Sequence, residues 1–310
     1  MEREVVLKAS REYGTRLPSE PVGWLLVRLP EVVLRTVRMR LEGRSTVRGV
    51  RPEWLRGAAD IRVVDVSGAD DAHIVFDCPR LGEGASELYE QRELWTAKPD
   101  PDLTGIDLVG DVVHELRRED RDSSLLDRGL LRGVRSLSNA VGNGFTDIAL
   151  PGTPSGEAAE IDRGVIQTAE SFLRETPRPE KVRVSGQLDM VRASTSAFAL
   201  ALGTGDELAG ILLDRDVRSI RDLLGKPVIV EGTAVFRPSG NVLRVEASAV
   251  HEADDVSGIW SRVPRARPPA IERAELVQRQ GPRSGVAAVR GAWPGDESDE
   301  EIARILEEIS

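Results

Sequence analysis

Five short stretches between residues 181 and 250 constrain the fold of this chain more than any other feature. KVRVSGQLDMVRAS, AFALAL and ELAGILL read as three strands, with Gly203-Thr204-Gly205-Asp206 as a hairpin loop between the second and third. DRDVRSIRDLLG (214–225) reads as a helix. PVIVEGTAVFRPSG and NVLRVEASAV follow as two more strands, joined by the turn Pro238-Ser239-Gly240-Asn241. Gly186 and Gly232, inside the first and fourth strands, fit bends that let a small sheet close on itself.

Three strands, a helix and two strands is the order of an OB-fold barrel, and the unit resembles that fold in order and spacing over about 70 residues. Its strands carry Arg183, Arg192, Arg237 and Arg244, with Phe198 and Phe236 as candidate stacking platforms. Arg183, Arg237 and Arg244 are therefore candidate nucleic-acid contacts. Against them stand Asp189, Asp206, Glu207, Asp214, Asp216, Asp222, Glu231 and Glu246, whereas phosphate attraction needs clustered positive charge. The two Phe read more simply as core.

The remaining segments make the chain α+β. Residues 1–150 read as a mixed α/β domain. Helices are expected at 30–42, where Pro30 sits in the first turn and Gly43 stops the run, then briefly at 52–56, at 107–118 and at 125–141. Strands are expected at 61–68, 73–78 and 146–150. Residues 151–180 read as a Gly/Pro/Ser-rich linker leading into a helix over 160–175. Residues 181–252 are the OB-like barrel. Residues 253–310 form a Pro-rich spacer and a tail ending in a short amphipathic helix.

Composition closes off several chemistries. The single cysteine, Cys78, cannot form an internal disulfide or a cysteine metal cluster, and without a nearby His it reads as a buried small side chain. His73, His114 and His251 do not fall at metal-ligand spacing. Asp100, Asp102, Asp107 and Asp111 are the densest carboxylate run outside the tail, but Pro99, Pro101 and Gly105 interrupt it; turns and a helix cap explain it more simply. Neither a phosphate-binding loop nor a nucleophile elbow is present. We expect no catalytic residues, no metal and no cofactor, hence no enzyme. No stretch approaches the roughly 18 apolar residues of a membrane span, and the acidic, Arg-containing start is unlike a signal peptide, so the expected location is the cytoplasm.

Charge is unevenly placed. Residues 1–57 hold twelve Arg/Lys against seven Glu, a net of +5, while residues 296–310 hold seven acids against Arg304, a net of −6. On the helix at 30–42, Arg35 and Arg38 share a face at i, i+3 spacing and are further candidate nucleic-acid contacts, although a solvated face accounts for them as well.

The tail carries most of the functional information. Ser298 and Glu301 form a capping box, and Asp299, Glu300 and Glu301 sit where the helix dipole favours negative charge. Ile302, Ile305, Leu306 and Ile309 make one apolar stripe at i, i+3, i+4, i+7. Glu307, Glu308 and the end of the helix then crowd the negative pole. About twelve residues are marginal as an isolated helix, so the stripe calls for a groove with a basic rim.

Gly291-Ala-Trp-Pro-Gly-Asp-Glu-Ser-Asp-Glu-Glu301, followed by this helix, resembles the C-terminus of bacterial antitoxins encoded beside PIN-domain ribonuclease toxins. The resemblance covers about twenty residues and implies a PIN-domain toxin as protein partner. Its groove would receive Trp293, Ile302, Ile305, Leu306 and Ile309, with Arg304 or Arg290 available to block the acidic active site. Antitoxins of this kind are usually small, with a DNA-binding N-terminal domain, whereas no such module is recognised in the body of this chain.

Overall fold

In EREVVLKA the side chains Arg3, Val5 and Leu7 fall on one face of an extended chain and Glu2, Glu4, Val6 and Lys8 on the other. The computed structural model, which describes residues 1–14, 16–47, 50–68, 70–90, 98–142, 144–152, 158–213, 217–253 and 260–266, makes this segment strand β1 (Glu2–Ala9). It is followed by α1 (Ser19–Glu42), α2 (Glu53–Ala58), β2 (Arg62–Gly68), β3 (Ala72–Asp77) and two single-turn helices, α3 (Leu81–Gly84) and α4 (Ser86–Tyr89). Next come α5 (Gly105–Arg117), α6 (Arg128–Arg135), β4 (Phe145–Leu150), β5 (Ala159–Ile161) and α7 (Arg163–Glu175).

The sheet runs β2-β3-β1-β4-β5, with every neighbouring pair antiparallel. Val5, Leu7, Ile74, Phe76, Phe145 and Ile148 point to its buried face and share one core with residues of α1, α5, α6 and α7. The opposite face is polar at its centre: Glu4 meets His73 at 2.9 Å, and Lys8 pairs with Glu160. The N-terminal segment, unassigned by the sequence reading, is thus the middle strand.

Helix α1 begins eleven residues before the expected start. Pro30 lies inside it, where proline costs roughly 3 kcal/mol. Val22, Leu25, Leu29, Val32, Val33 and Val37 form a buried stripe that runs through the proline without a break. Burying such side chains contributes about 1.5–3 kcal/mol each, so the stripe outweighs the lost hydrogen bond. The helix expected at 125–141 is shorter, α6 being followed by a 3-10 turn at Ser136–Asn139. The helix expected from residue 160 starts at Arg163, because residues 159–161 pair with β4 as an edge strand. Val165, Ile166, Ala169, Phe172 and Leu173 of α7 then join the first core.

The second half is the closed barrel β10-β8-β7-β6-β9, built from β6 (Glu180–Arg192), β7 (Ala197–Ala201), β8 (Glu207–Leu212), β9 (Pro227–Phe236) and β10 (Val242–Glu252). Strands β8 and β10 pair in parallel and the other neighbours antiparallel, a closure that fits the OB-like order. Among the described residues, the helix expected over 214–225 is a single turn, α8 (Arg218–Arg221). Gly232 permits a close crossing: a Cβ there would lie 2.3 Å from the backbone oxygen of Glu246 on β10. Leu188, Phe198, Leu200, Val230, Phe236 and Val245 fill the interior, so both phenylalanines are core residues and not stacking platforms. No helix among the described residues is long and apolar enough to cross a membrane.

Candidate functional site

Three elements meet around one charged cleft. Val235 and Leu243 project from the barrel into the first core. Beside them Arg244 of β10 reaches Asp127 at 3.1 Å and Glu246 at 2.9 Å. Asp127 is the N-cap of α6: it accepts from the Leu130 N–H, and it also takes the N–H and hydroxyl of Ser45. Ser45 can come so close because residue 129 is glycine; a Cβ there would sit 2.2 Å from the Ser45 hydroxyl. The 237–241 turn of the barrel docks nearby, with Ser239 Oγ and Asn241 Nδ2 donating to Asp122.

The cleft has a volume of about 610 Å³. Arg28, Glu31 and Arg35 line it from α1, Arg128 and Arg132 from α6 at i, i+4 spacing, and Ser136 from the 3-10 turn that follows; Val235, Arg244 and Glu246 close it from the barrel. Its walls hold five arginines against three carboxylates, Glu31, Asp127 and Glu246, a surplus of +2. The carboxylates are taken: Arg28 pairs with Glu31 at 3.0 Å, and Arg244 holds both others. Arg35 donates to the Gly129 carbonyl and Arg128 to those of Leu173 and Thr176. Burial, with Arg132 and Arg178 nearby, pulls the Arg128 pKa below its ordinary value.

Burial opposes ionisation of Asp127, but Arg244, Ser45 and the backbone N–H groups of Leu130 and Ser45 outweigh it and hold its pKa below the ordinary carboxylate value. A second buried group lies at the end of α1, where Glu42 accepts from Arg38 and Arg44, each at 2.6 Å. Burial again opposes ionisation there, and the two guanidiniums lower the Glu42 pKa.

The candidate residues are therefore scattered. Arg35 and Arg244 share the cleft. Arg38, expected on a solvated or nucleic-acid-facing side of its helix, is buried against Glu42. Arg183 is exposed on β6, paired with Glu231 at 2.5 Å and lying over the Trp260 ring. Arg237 lies 4.0 Å from Asp122. Trp293, Ser298, Glu301, Ile302, Arg304, Ile305, Leu306 and Ile309 lie outside the described residues. Arg128 and Arg132 of the wall, and Arg178 beside them, were missed, whereas Arg28 fell within the arginine-rich stretch 28–56; the like-charge i, i+4 pair Arg128/Arg132 was the one local signal that could have found the wall.

The aspartate run separates into individual roles. Asp107 closes a capping box with Thr104 and pairs with Arg3 at 2.8 Å, while Asp111 faces Arg40 at 3.7 Å. Asp100 accepts from the backbone of Asp102. Among the described residues no group of three His, Cys, Asp or Glu side chains could hold a metal ion. Cys78 is buried with its thiol on the Phe76 carbonyl, and burial pushes its pKa up to about 12. Comparisons with protein-family models, curated proteins and solved structures find no match to this chain.

Proposed function

We propose that this chain is a non-enzymatic, antitoxin-like inhibitor that binds and neutralises a PIN-domain ribonuclease through its acidic amphipathic C-terminal helix. The observation that carries the reading is the tail sequence: Trp-Pro-Gly at 293–295, the Ser298/Glu301 spacing of a capping box, and Ile302, Ile305, Leu306 and Ile309 at i, i+3, i+4, i+7 flanked by acids. Residues 253–310 serve as spacer and partner-binding tail, and residues 1–252 as the body that carries them in the cytoplasm. The buried residues of both cores, as described, lie between Val5 and Ala247, with Val263 and Ala266 of the spacer packed against the barrel core.

A nucleic-acid-binding OB-like protein is the alternative, and it draws less support. Arg38 and Arg244 are committed to buried carboxylates, and Phe198 and Phe236 to the barrel interior. On β7 and β8 the exposed residues Ala201, Glu207 and Ala209 offer neither a cation nor a ring to a base.

The test is co-expression with a PIN-domain ribonuclease encoded beside this gene. The full chain is expected to co-purify with it and suppress its RNA cleavage, and deletion of residues 290–310 to abolish both. A neighbouring gene of another kind, or full inhibition by the deleted chain, overturns the reading.

A further inference from the structure

We propose that the cleft between α1, α6 and the barrel is a binding site for a small phosphate-bearing anion, of pyrophosphate to nucleotide size. The site is built from residues between Arg28 and Glu246, and the proposal does not depend on the function of the tail. Two kinds of observation point to it. The first is uncompensated charge. Arg132 is exposed on the cleft wall, and Arg178 is exposed beside Arg128 at the end of the segment leading into β6. Neither has a carboxylate partner among the described residues. Arg128 and Arg132 on the wall, with Arg178 beside Arg128 and next to the wall residue Pro179, repel each other unless a multivalent anion enters between them.

The second observation is donors without acceptors. Arg244 is 5% exposed, yet its Nη1 is buried with no hydrogen-bond partner, and the same is true of Arg28 Nε. Both residues line the cleft. A buried charged N–H gains from any acceptor that reaches it, so an anion entering the cleft is favoured. Arginine's planar fork matches phosphate oxygens two at a time, which satisfies donor and charge together.

Size and surroundings select the ligand. The volume, about 610 Å³, lies within the roughly 300–1,000 Å³ of small-molecule sites. Glu31 and Glu246 on the walls, and a net charge of −10 on the whole chain, disfavour a long polyanion. The lining contains no aromatic ring on which a base could stack.

The experiment is calorimetric titration of the full chain with pyrophosphate at low salt, repeated with inorganic phosphate, with a nucleoside triphosphate and with a single-stranded RNA oligonucleotide. Saturable pyrophosphate binding is expected, weakened at least about tenfold in the R132A/R178A double variant. Because both side chains are exposed, the thermal midpoint of that variant without ligand should match that of the parent. The Arg132→Lys/Arg178→Lys variant should recover part of the affinity, since it restores charge without the fork. Tighter triphosphate than phosphate binding supports a nucleotide-sized ligand. No pyrophosphate binding, binding unaltered in the double variant, or RNA binding that pyrophosphate does not displace would overturn the proposal.

Discussion

Arg244 Nη2 lies 3.1 Å from Asp127 Oδ2 across 117 residues of sequence, and both side chains are almost wholly out of solvent. This pair joins a barrel strand to the first turn of α6. Asp127 also holds Ser45, so a single carboxylate ties together α6, the segment after α1 and the barrel. Asp127→Ala is expected to lower stability by about 3–5 kcal/mol, because it leaves a buried guanidinium with only Glu246 and removes a helix cap. Urea unfolding measures it. A loss under about 1 kcal/mol would mean that the pair contributes little to the joint.

Acid should release the same joint. The folded-state pKa values of Asp127 and Glu42 lie below their ordinary values. Their contribution is therefore fully present above the unfolded carboxylate pKa of about 4 and is lost as pH falls through the lower folded values. Asp111 has the opposite sign: burial raises its pKa, so ionising it costs stability as pH rises above about 4. Thermal midpoints measured from neutral pH downward should fall below about pH 4, less steeply in Asp127→Asn than in the parent. An identical acid slope in the two proteins would remove Asp127 from the account.

Cys78 should be chemically silent in the folded protein. Its thiol is buried and its pKa is raised to about 12, so almost no thiolate is available at pH 8. An aromatic disulfide reagent is expected to label it slowly under native conditions and fully in denaturant. Rapid native labelling would show that the site opens.

The tail makes two graded predictions about the proposed ribonuclease complex. Ile305→Asp should abolish binding while leaving the thermal midpoint of the free protein unchanged, because a carboxylate placed in a dry groove costs several kcal/mol. Ser298→Ala should weaken binding by about 0.5–2 kcal/mol, the usual cost of a lost N-cap. A large stability loss in the free protein from either change would assign the helix to this chain's own fold.

What the sequence determined by itself was what depends on near neighbours. The five strands of the barrel follow from alternation and turn residues, and Gly43 after the apolar run of α1 marks a helix end, where its N–H bonds Met39 O. The string at 291–301 is legible without any fold. Tertiary structure decided the rest. β1 becomes the middle strand because β3 and β4, far along the chain, pair with it on either side. α1 runs through Pro30 because its stripe finds a core. The cleft could not be read in advance: Arg28, Arg132 and Arg244 belong to three separate segments. Side-chain periodicity records which way a residue faces on its own element, whereas a charge cluster depends on which elements pack together, and that is set by burial over the whole chain.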